Sequence, residues 1–126
     1  MKSRLRTMLT AILVMFVFSC SQDNTTPTNV NTCKVTNPAQ DLPWLKSRIG
    51  GILTSDPALA KYQYVQQAQY RKNTVFIFGS CDPSSFSTFP VYSCENKMLG
   101  NVGVIPADSL LNRTTIWKSN DSVCNL

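Results

Sequence analysis

The sequence contains no histidine among its 126 residues and only seven acidic residues. The absence of histidine excludes Ser-His-Asp and Cys-His catalysis and most catalytic zinc sites. Most of the acidic residues lie beside Pro, Ser or Asn, where Asp is typical of caps and turns rather than of a catalytic carboxylate pair. The motifs GxxxxGK[ST], GxGxxG and GxSxG are also absent. We therefore predict that the protein is not an enzyme and uses no cofactor.

The sequence also lacks an apolar run long enough to cross a membrane. The longest, residues 9–18, has about ten residues, whereas a transmembrane helix needs roughly 20. Three basic residues, Lys2, Arg4 and Arg6, precede this run, and the small residue Ser19 follows it. This order is typical of a secretory signal peptide.

The cysteine after this run has a distinctive setting. Residues 17–20 read Val-Phe-Ser-Cys and resemble the bacterial lipobox, in which the cysteine is acylated and becomes the first residue of the mature protein. Two or more acyl chains on Cys20 would hold the protein stably on a membrane, since each buried methylene contributes about 0.8 kcal/mol. The alternative is cleavage nearby by an ordinary signal peptidase, which leaves Cys20 free or paired.

The positive charge of the chain is concentrated in the signal segment. The formal net charge is +5, from 12 basic and seven acidic residues. Removal of residues 1–19 leaves nine basic and seven acidic residues, a net charge of about +2. No cluster of Lys and Arg remains, and the pair Arg71-Lys72 is interpreted as flanking a solvated turn. We therefore expect no nucleic-acid partner.

If Cys20 carries the lipid, four of the five cysteines remain, an even number in an oxidising compartment. Four cysteines allow three pairings, and the sequence cannot choose among them. We favour Cys81–Cys94, which closes a short loop between strands, and Cys33–Cys124, which joins the two ends of the domain. The rival interpretation, a four-cysteine zinc site, has no CxxC spacing to support it, so we predict no metal ligands.

Three regions are predicted: a lipoprotein signal peptide at 1–19, a flexible tether at 20–37 rich in Ser, Thr and Asn, and one small α+β domain at 38–126. Within the domain, apolar residues recur at helical spacing after Asp41, a candidate N-cap, with Pro43 in the first turn. Strand patterns follow in "YQYVQQAQY", "TVFIFGS", "PVYSC", "KMLGNVGVI" and "RTTIWKS". The expected architecture has two layers, one N-terminal helix packed on an antiparallel sheet of about four strands, cross-linked by disulfides.

The run "NPAQDLPWLK", residues 37–46, resembles the helix start N-P-x-x-D/E-L-P-W-L-K of an uncharacterised family of small Bacteroidota lipoproteins. The Tyr-rich segment, "TVF" and the cysteine after it follow in the order that this family shows, so the resemblance covers residues 37–95. It implies a lipid-anchored protein of the bacterial cell envelope, at the outer membrane, and it carries no known activity. Whether the protein faces the periplasm or the cell surface is left open.

The aromatic residues suggest a surface for binding. Tyr62, Tyr64 and Tyr70 share one parity and would line one face of a sheet, where they could bind an envelope protein or a glycan. The alternative is that this face packs against the core, as we expect for Trp44 and Trp117.

Our leading hypothesis is a non-catalytic binding module that is held to the membrane through Cys20. One alternative is a small inhibitor of a secreted hydrolase that presents the loop 81–94. Another is a structural envelope lipoprotein.

Overall fold

The computed structural model describes residues 33–126, so the predicted signal peptide, Cys20 and most of the predicted tether lie outside the described residues. Within residues 33–126, three helices come first, and strands with a short 3₁₀ turn follow. In order they are α1 (Pro38–Asp41), α2 (Pro43–Ser55), α3 (Pro57–Ala60), β1 (Gln63–Tyr70), β2 (Asn73–Ser80), β3 (Pro90–Ser93), β4 (Met98–Asn101), the 3₁₀ turn (Ala107–Ser109) and β5 (Leu111–Lys118).

Each helix begins at a proline, which suits the first helical position because its nitrogen has no hydrogen to leave unpaired. Asp41, predicted to cap α2, instead ends α1, and its carboxylate accepts a hydrogen bond from the Asn37 backbone nitrogen at 2.8 Å. Leu42 takes the N-cap position of α2 without a side-chain bond. Asp56 caps α3, where its carboxylate accepts from two backbone nitrogens.

The strands form one antiparallel sheet of five members, one more than predicted, in the order β4-β3-β2-β1-β5. β2 lies at the centre, and its residues 74–77 are all buried, as its β-branched and aromatic composition predicts. β1 and β2 join through Arg71 and Lys72, both with positive φ (50° and 67°). Positive φ at both positions is the signature of the type I′ turn, whose twist matches that of the strands.

Both faces of the sheet are covered. On one face, Leu45 and Ile49 of α2 pack on Val65 and Phe76, with Trp44 and Trp117 against the same cluster as predicted. On the other face, the connection 102–110 crosses from β4 at one edge to β5 at the other. Two side chains of this connection, Ile105 and Leu110, pack on the sheet. They form a second buried cluster with the strand residues Ala68, Val75, Ile77 and Val91. The expected helix-on-sheet architecture is confirmed, with an extended connection covering the second face.

The predicted disulfide pairing is wrong, although all four cysteines are paired. The bonds are Cys33–Cys94 and Cys81–Cys124, with Cα separations of 5.5 and 5.7 Å. Cys81 follows β2 and Cys94 follows β3, and these strands are antiparallel neighbours. Neighbouring antiparallel strands run in opposite directions, so their last residues lie at opposite ends of the strands. The two cysteines therefore lie at opposite ends of the domain despite their closeness in sequence.

Candidate interaction surface

The domain has two ends, which are set by the direction of the strands. The end that carries the β1–β2 turn (71–72) and the β3–β4 turn (94–97) is here called the hairpin end. The opposite end carries the loop 81–89 and is here called the loop end. One disulfide lies at each: Cys33–Cys94 at the hairpin end and Cys81–Cys124 at the loop end.

The structure does not bring the three predicted binding tyrosines together. Tyr64 and Tyr70 share a face of β1, but they are six residues apart, about 20 Å in a strand. Tyr70 packs against the second core cluster, and the ring of Tyr64 covers Gly79 of the neighbouring strand. Tyr62 lies just before β1 at the loop end, with the Lys61 ammonium 5.1 Å from its ring. That these tyrosines bind a partner stays a prediction.

Sequence reasoning missed an aromatic cluster on the helix-covered face. The rings of Trp44 and Phe76 lie 5.7 Å apart, and those of Phe78 and Tyr92 lie 5.6 Å apart, both pairs edge to face. The Trp44 Nε1 donates to the Cys94 carbonyl at 2.8 Å, which ties the start of α2 to the hairpin end. These rings come from α2, β2 and β3, so no local pattern in the sequence marks them as neighbours.

Arg48 completes this cluster at its solvent side. Its guanidinium lies 4.2 Å from the centre of the Tyr92 ring, within the range of cation–π attraction. It also donates to the Tyr92 hydroxyl at 3.1 Å and to the Asn96 side-chain oxygen at 3.2 Å. The one available signal was its spacing of four residues from Trp44, which places both on the same side of a helix.

An open groove of about 440 Å³ continues from this cluster toward the loop end. Arg48, Ile52, Phe78 and Tyr92 form its aromatic and cationic wall. The loop 81–89 forms the opposite wall and contributes Phe86, whose side chain is fully exposed, with a relative accessible area of 108 %.

The base of the loop 81–89 is held in several ways. Cys81 is bonded to Cys124, and its backbone nitrogen donates to the Tyr62 carbonyl at 2.9 Å. The Asp82 carboxylate accepts from the Ser84 hydroxyl at 2.7 Å and from the Ser84 backbone nitrogen at 2.9 Å. These two hydrogen bonds lower the pKa of Asp82, because they stabilise its charged form. The loop is not closed by a disulfide of its own, which corrects the arrangement expected for an inhibitor loop.

A second cavity, of about 400 Å³, lies at the hairpin end between Tyr70, Arg71, Ser93, Glu95 and Leu99. Within residues 33–126, no three His, Cys, Asp or Glu side chains converge in a way that could bind a metal ion. None of the helices in this part of the chain is both long and apolar enough to span a bilayer.

Comparison of the chain with known protein families, curated proteins and solved structures finds no match.

Proposed function

We propose that the protein is a lipid-anchored component of a bacterial cell envelope that binds a partner protein without catalysis, through the loop end of its domain. The observation that carries this proposal is the complete exposure of Phe86 beside an aromatic groove. Single exposed apolar side chains are common on soluble domains. An exposed aromatic ring next to a concave surface is instead typical of an interface, where such rings fill pockets of the partner.

The groove forms the second part of the proposed binding surface, beside Phe86. Its wall contains Arg48 and Tyr92, and Arg and Tyr are enriched among the residues that dominate binding energy. The guanidinium is already held by the ring and by two hydrogen bonds, so little side-chain entropy is lost when a partner covers it. We infer that Phe86 enters the partner and that the groove receives one of the partner's side chains.

Photo-cross-linking in producing cells tests this proposal. A benzophenone amino acid at position 86 is expected to cross-link to a defined envelope protein. The matched control position is Val104, which is 81 % exposed but lies on the connection 102–110, outside the groove. We expect no such product from position 104.

The groove gives a further check on the same cross-link. Arg48→Ala removes the cationic wall, so the yield from position 86 should fall while the amount of protein in the envelope stays the same. Identical products from positions 86 and 104, or no product from position 86, would contradict the proposal.

A second candidate function is inhibition of a secreted hydrolase by the loop 81–89. The observation that favours it is the firmly held base of the loop beneath an exposed Phe86, since inhibitor loops work by presenting a side chain in a fixed conformation. Phe86→Ala should then abolish inhibition without changing the melting temperature, whereas Val104→Ala should leave inhibition intact. Lack of inhibition by the wild-type chain across the secreted hydrolases of the bacterium that produces it would exclude this function.

A further inference from the structure

The disulfide Cys33–Cys94 fixes the place where the chain enters the domain. Cys33 is the first described residue, and its bond holds it beside the β3–β4 turn at the hairpin end. Twelve residues, 21–32, separate it from Cys20. A lipid on Cys20 would therefore connect to the domain at the hairpin end, and the loop end lies about one strand length, ~26 Å, beyond that point of attachment.

The charges of the domain are divided between the same two ends. The hairpin end and the adjoining start of α2, apart from Arg48 of the groove, hold six basic and three acidic residues, a net charge of +3. These are Lys34, Lys46, Arg71, Lys72, Lys97 and Arg113, with Asp41, Glu95 and Asp108. The loop end holds Lys61 and Lys118 with Asp56, Asp82 and Asp121, a net charge of −1. The sequence alone hides this division, because the basic residues are scattered along the chain.

The basic side chains at the hairpin end are available to a partner. Lys34, Arg71, Lys72 and Lys97 are all exposed. Two of the nearby carboxylates are already engaged by the chain itself: Glu95 accepts from the Ser93 hydroxyl and Asp41 from the Asn37 backbone nitrogen, each at 2.8 Å. The two turns that carry Arg71, Lys72 and Lys97 lie at the same end of the sheet, on neighbouring hairpins.

We propose that the hairpin end rests on anionic lipid headgroups of the membrane that carries the Cys20 anchor, which directs Phe86 and the loop end away from the membrane. This inference rests on the lipid anchor of the proposed function. An acyl anchor and a basic surface reinforce each other, since the anchor supplies proximity and each Lys or Arg adds its own attraction. Because this attraction falls off within about 10 Å at 0.1 M salt, only the end next to the anchor takes part.

Lysine labelling of the full-length lipoprotein in vesicles tests the proposal. One set of vesicles contains phosphatidylcholine alone, and the other also contains phosphatidylglycerol. An amine-reactive reagent is applied, and modification of each lysine is followed by mass spectrometry. At low salt, Lys34, Lys72 and Lys97 should react about threefold or more slowly on the anionic vesicles, while Lys61 and Lys118 keep their rates. High salt should remove the difference.

A pair of matched variants checks whether the positive charge of the hairpin end causes the protection of its lysines. Lys72→Glu combined with Lys97→Glu should abolish the protection of Lys34, whereas Lys61→Glu combined with Lys118→Glu, the same charge change at the loop end, should preserve it. All four positions lie on the surface or are half-exposed, so the fold should survive in both variants.

Flotation with the vesicles separates the possible failures. Protein that floats with both kinds of vesicle but shows equal rates at all lysines, or a protection that does not depend on phosphatidylglycerol, overturns the docking and leaves the anchor standing. Protein that floats with neither kind overturns the anchor and the docking together.

Discussion

At the scale of single residues, Gly79 shows how one side chain restricts its neighbour across the sheet. A Cβ at this position would overlap the ring of Tyr64, which lies over the glycine from the adjacent strand. Glycine is otherwise unfavourable within a strand because it packs nothing and loses more backbone freedom on folding. The position is therefore glycine because the tyrosine ring takes the space.

We expect Gly79→Ala to lower the free energy of unfolding by about 1 kcal/mol, the lower end of the cost of extra volume, because the half-buried ring of Tyr64 must move aside for the new methyl group. In a Tyr64→Ala background the same substitution should be neutral or stabilising by up to about 1 kcal/mol. Denaturant unfolding of the four chains measures both effects. Gly51→Ala is a control for the substitution itself, since a Cβ there meets nothing within 4 Å. An equal cost in both backgrounds would contradict the role of Tyr64.

The carboxylate of Asp82 gives a prediction about pH. Its pKa is lowered from the ordinary value of 3.8 by the hydrogen bonds from Ser84. Since the folded-state pKa lies below the unfolded one, these bonds stabilise the loop above about pH 3.8 and lose that effect as the pH falls through the folded pKa. NMR titration should show a midpoint below 3.8 for Asp82, and Ser84→Ala should raise it.

Asp121 provides a matched comparison for this titration. Its pKa is also lowered, chiefly by a hydrogen bond from the Ser119 side chain. Ser119→Ala should raise the pKa of Asp121 and leave that of Asp82 unchanged, and Ser84→Ala should do the reverse. A shift of both carboxylates in either variant would show that the two loops are coupled.

At the scale of secondary-structure elements, the disulfides decide how the helices and the chain ends are fastened to the sheet. Cys33–Cys94 joins the segment before α1 to the β3–β4 turn, where Trp44 also bonds. Cys81–Cys124 joins the end of β2 to the segment after β5, where the Val123 backbone nitrogen donates to the Lys61 carbonyl at 3.1 Å. Each bond therefore reinforces a contact that hydrogen bonds also make.

We expect removal of either disulfide by paired Cys→Ala substitution to lower the free energy of unfolding by about 4 kcal/mol, because the closed segments span 61 and 43 residues. Similar losses for the two pairs follow from the weak dependence on length. Denaturant unfolding measures the losses, and peptide mapping without reductant should recover Cys33 linked to Cys94. Recovery of Cys81 linked to Cys94 would refute the connectivity.

At the scale of the whole molecule, the two ends of the domain differ in charge and in the residues that they expose. The hairpin end is basic and receives the segment that leads to Cys20, while the loop end is slightly acidic and presents Phe86. In the arrangement that we propose, this separation along the strands places one end toward a membrane and the other toward a partner. The sheet between them sets the distance, since an eight-residue strand is about 26 Å long.

Cys20→Ser tests the anchor on which this arrangement depends. We expect the variant to leave the membrane fraction and to incorporate no labelled fatty acid, because it lacks the thiol that we propose carries the lipid. Fractionation with lipid labelling measures both. Cys33→Ala combined with Cys94→Ala, which removes two cysteines but leaves Cys20 in place, should remain in the membrane fraction. Retention of labelled Cys20→Ser protein would refute the lipobox.

The sequence by itself determined the local features. The proline in the first turn of α2, the turn beside Arg71-Lys72 and the buried central strand were readable, because each depends on residues within one turn or one strand. The predicted cap at Asp41 was wrong, since Asp41 ends α1 and Leu42 takes the N-cap position of α2. The pattern also indicated the α+β class, since helical and alternating periodicities occupy separate parts of the chain.

Only the tertiary structure decided which distant residues meet. The disulfide pairing, the contact of Arg48 with Tyr92, the covering of the second face by residues 102–110 and the division of charge between the ends all depend on strand order and direction. Reversal of direction between neighbouring strands sends residues that are close in sequence to opposite ends and brings distant ones together. Residue spacing along the chain cannot report that reversal, so the surfaces on which the proposed functions depend became visible only in the folded domain.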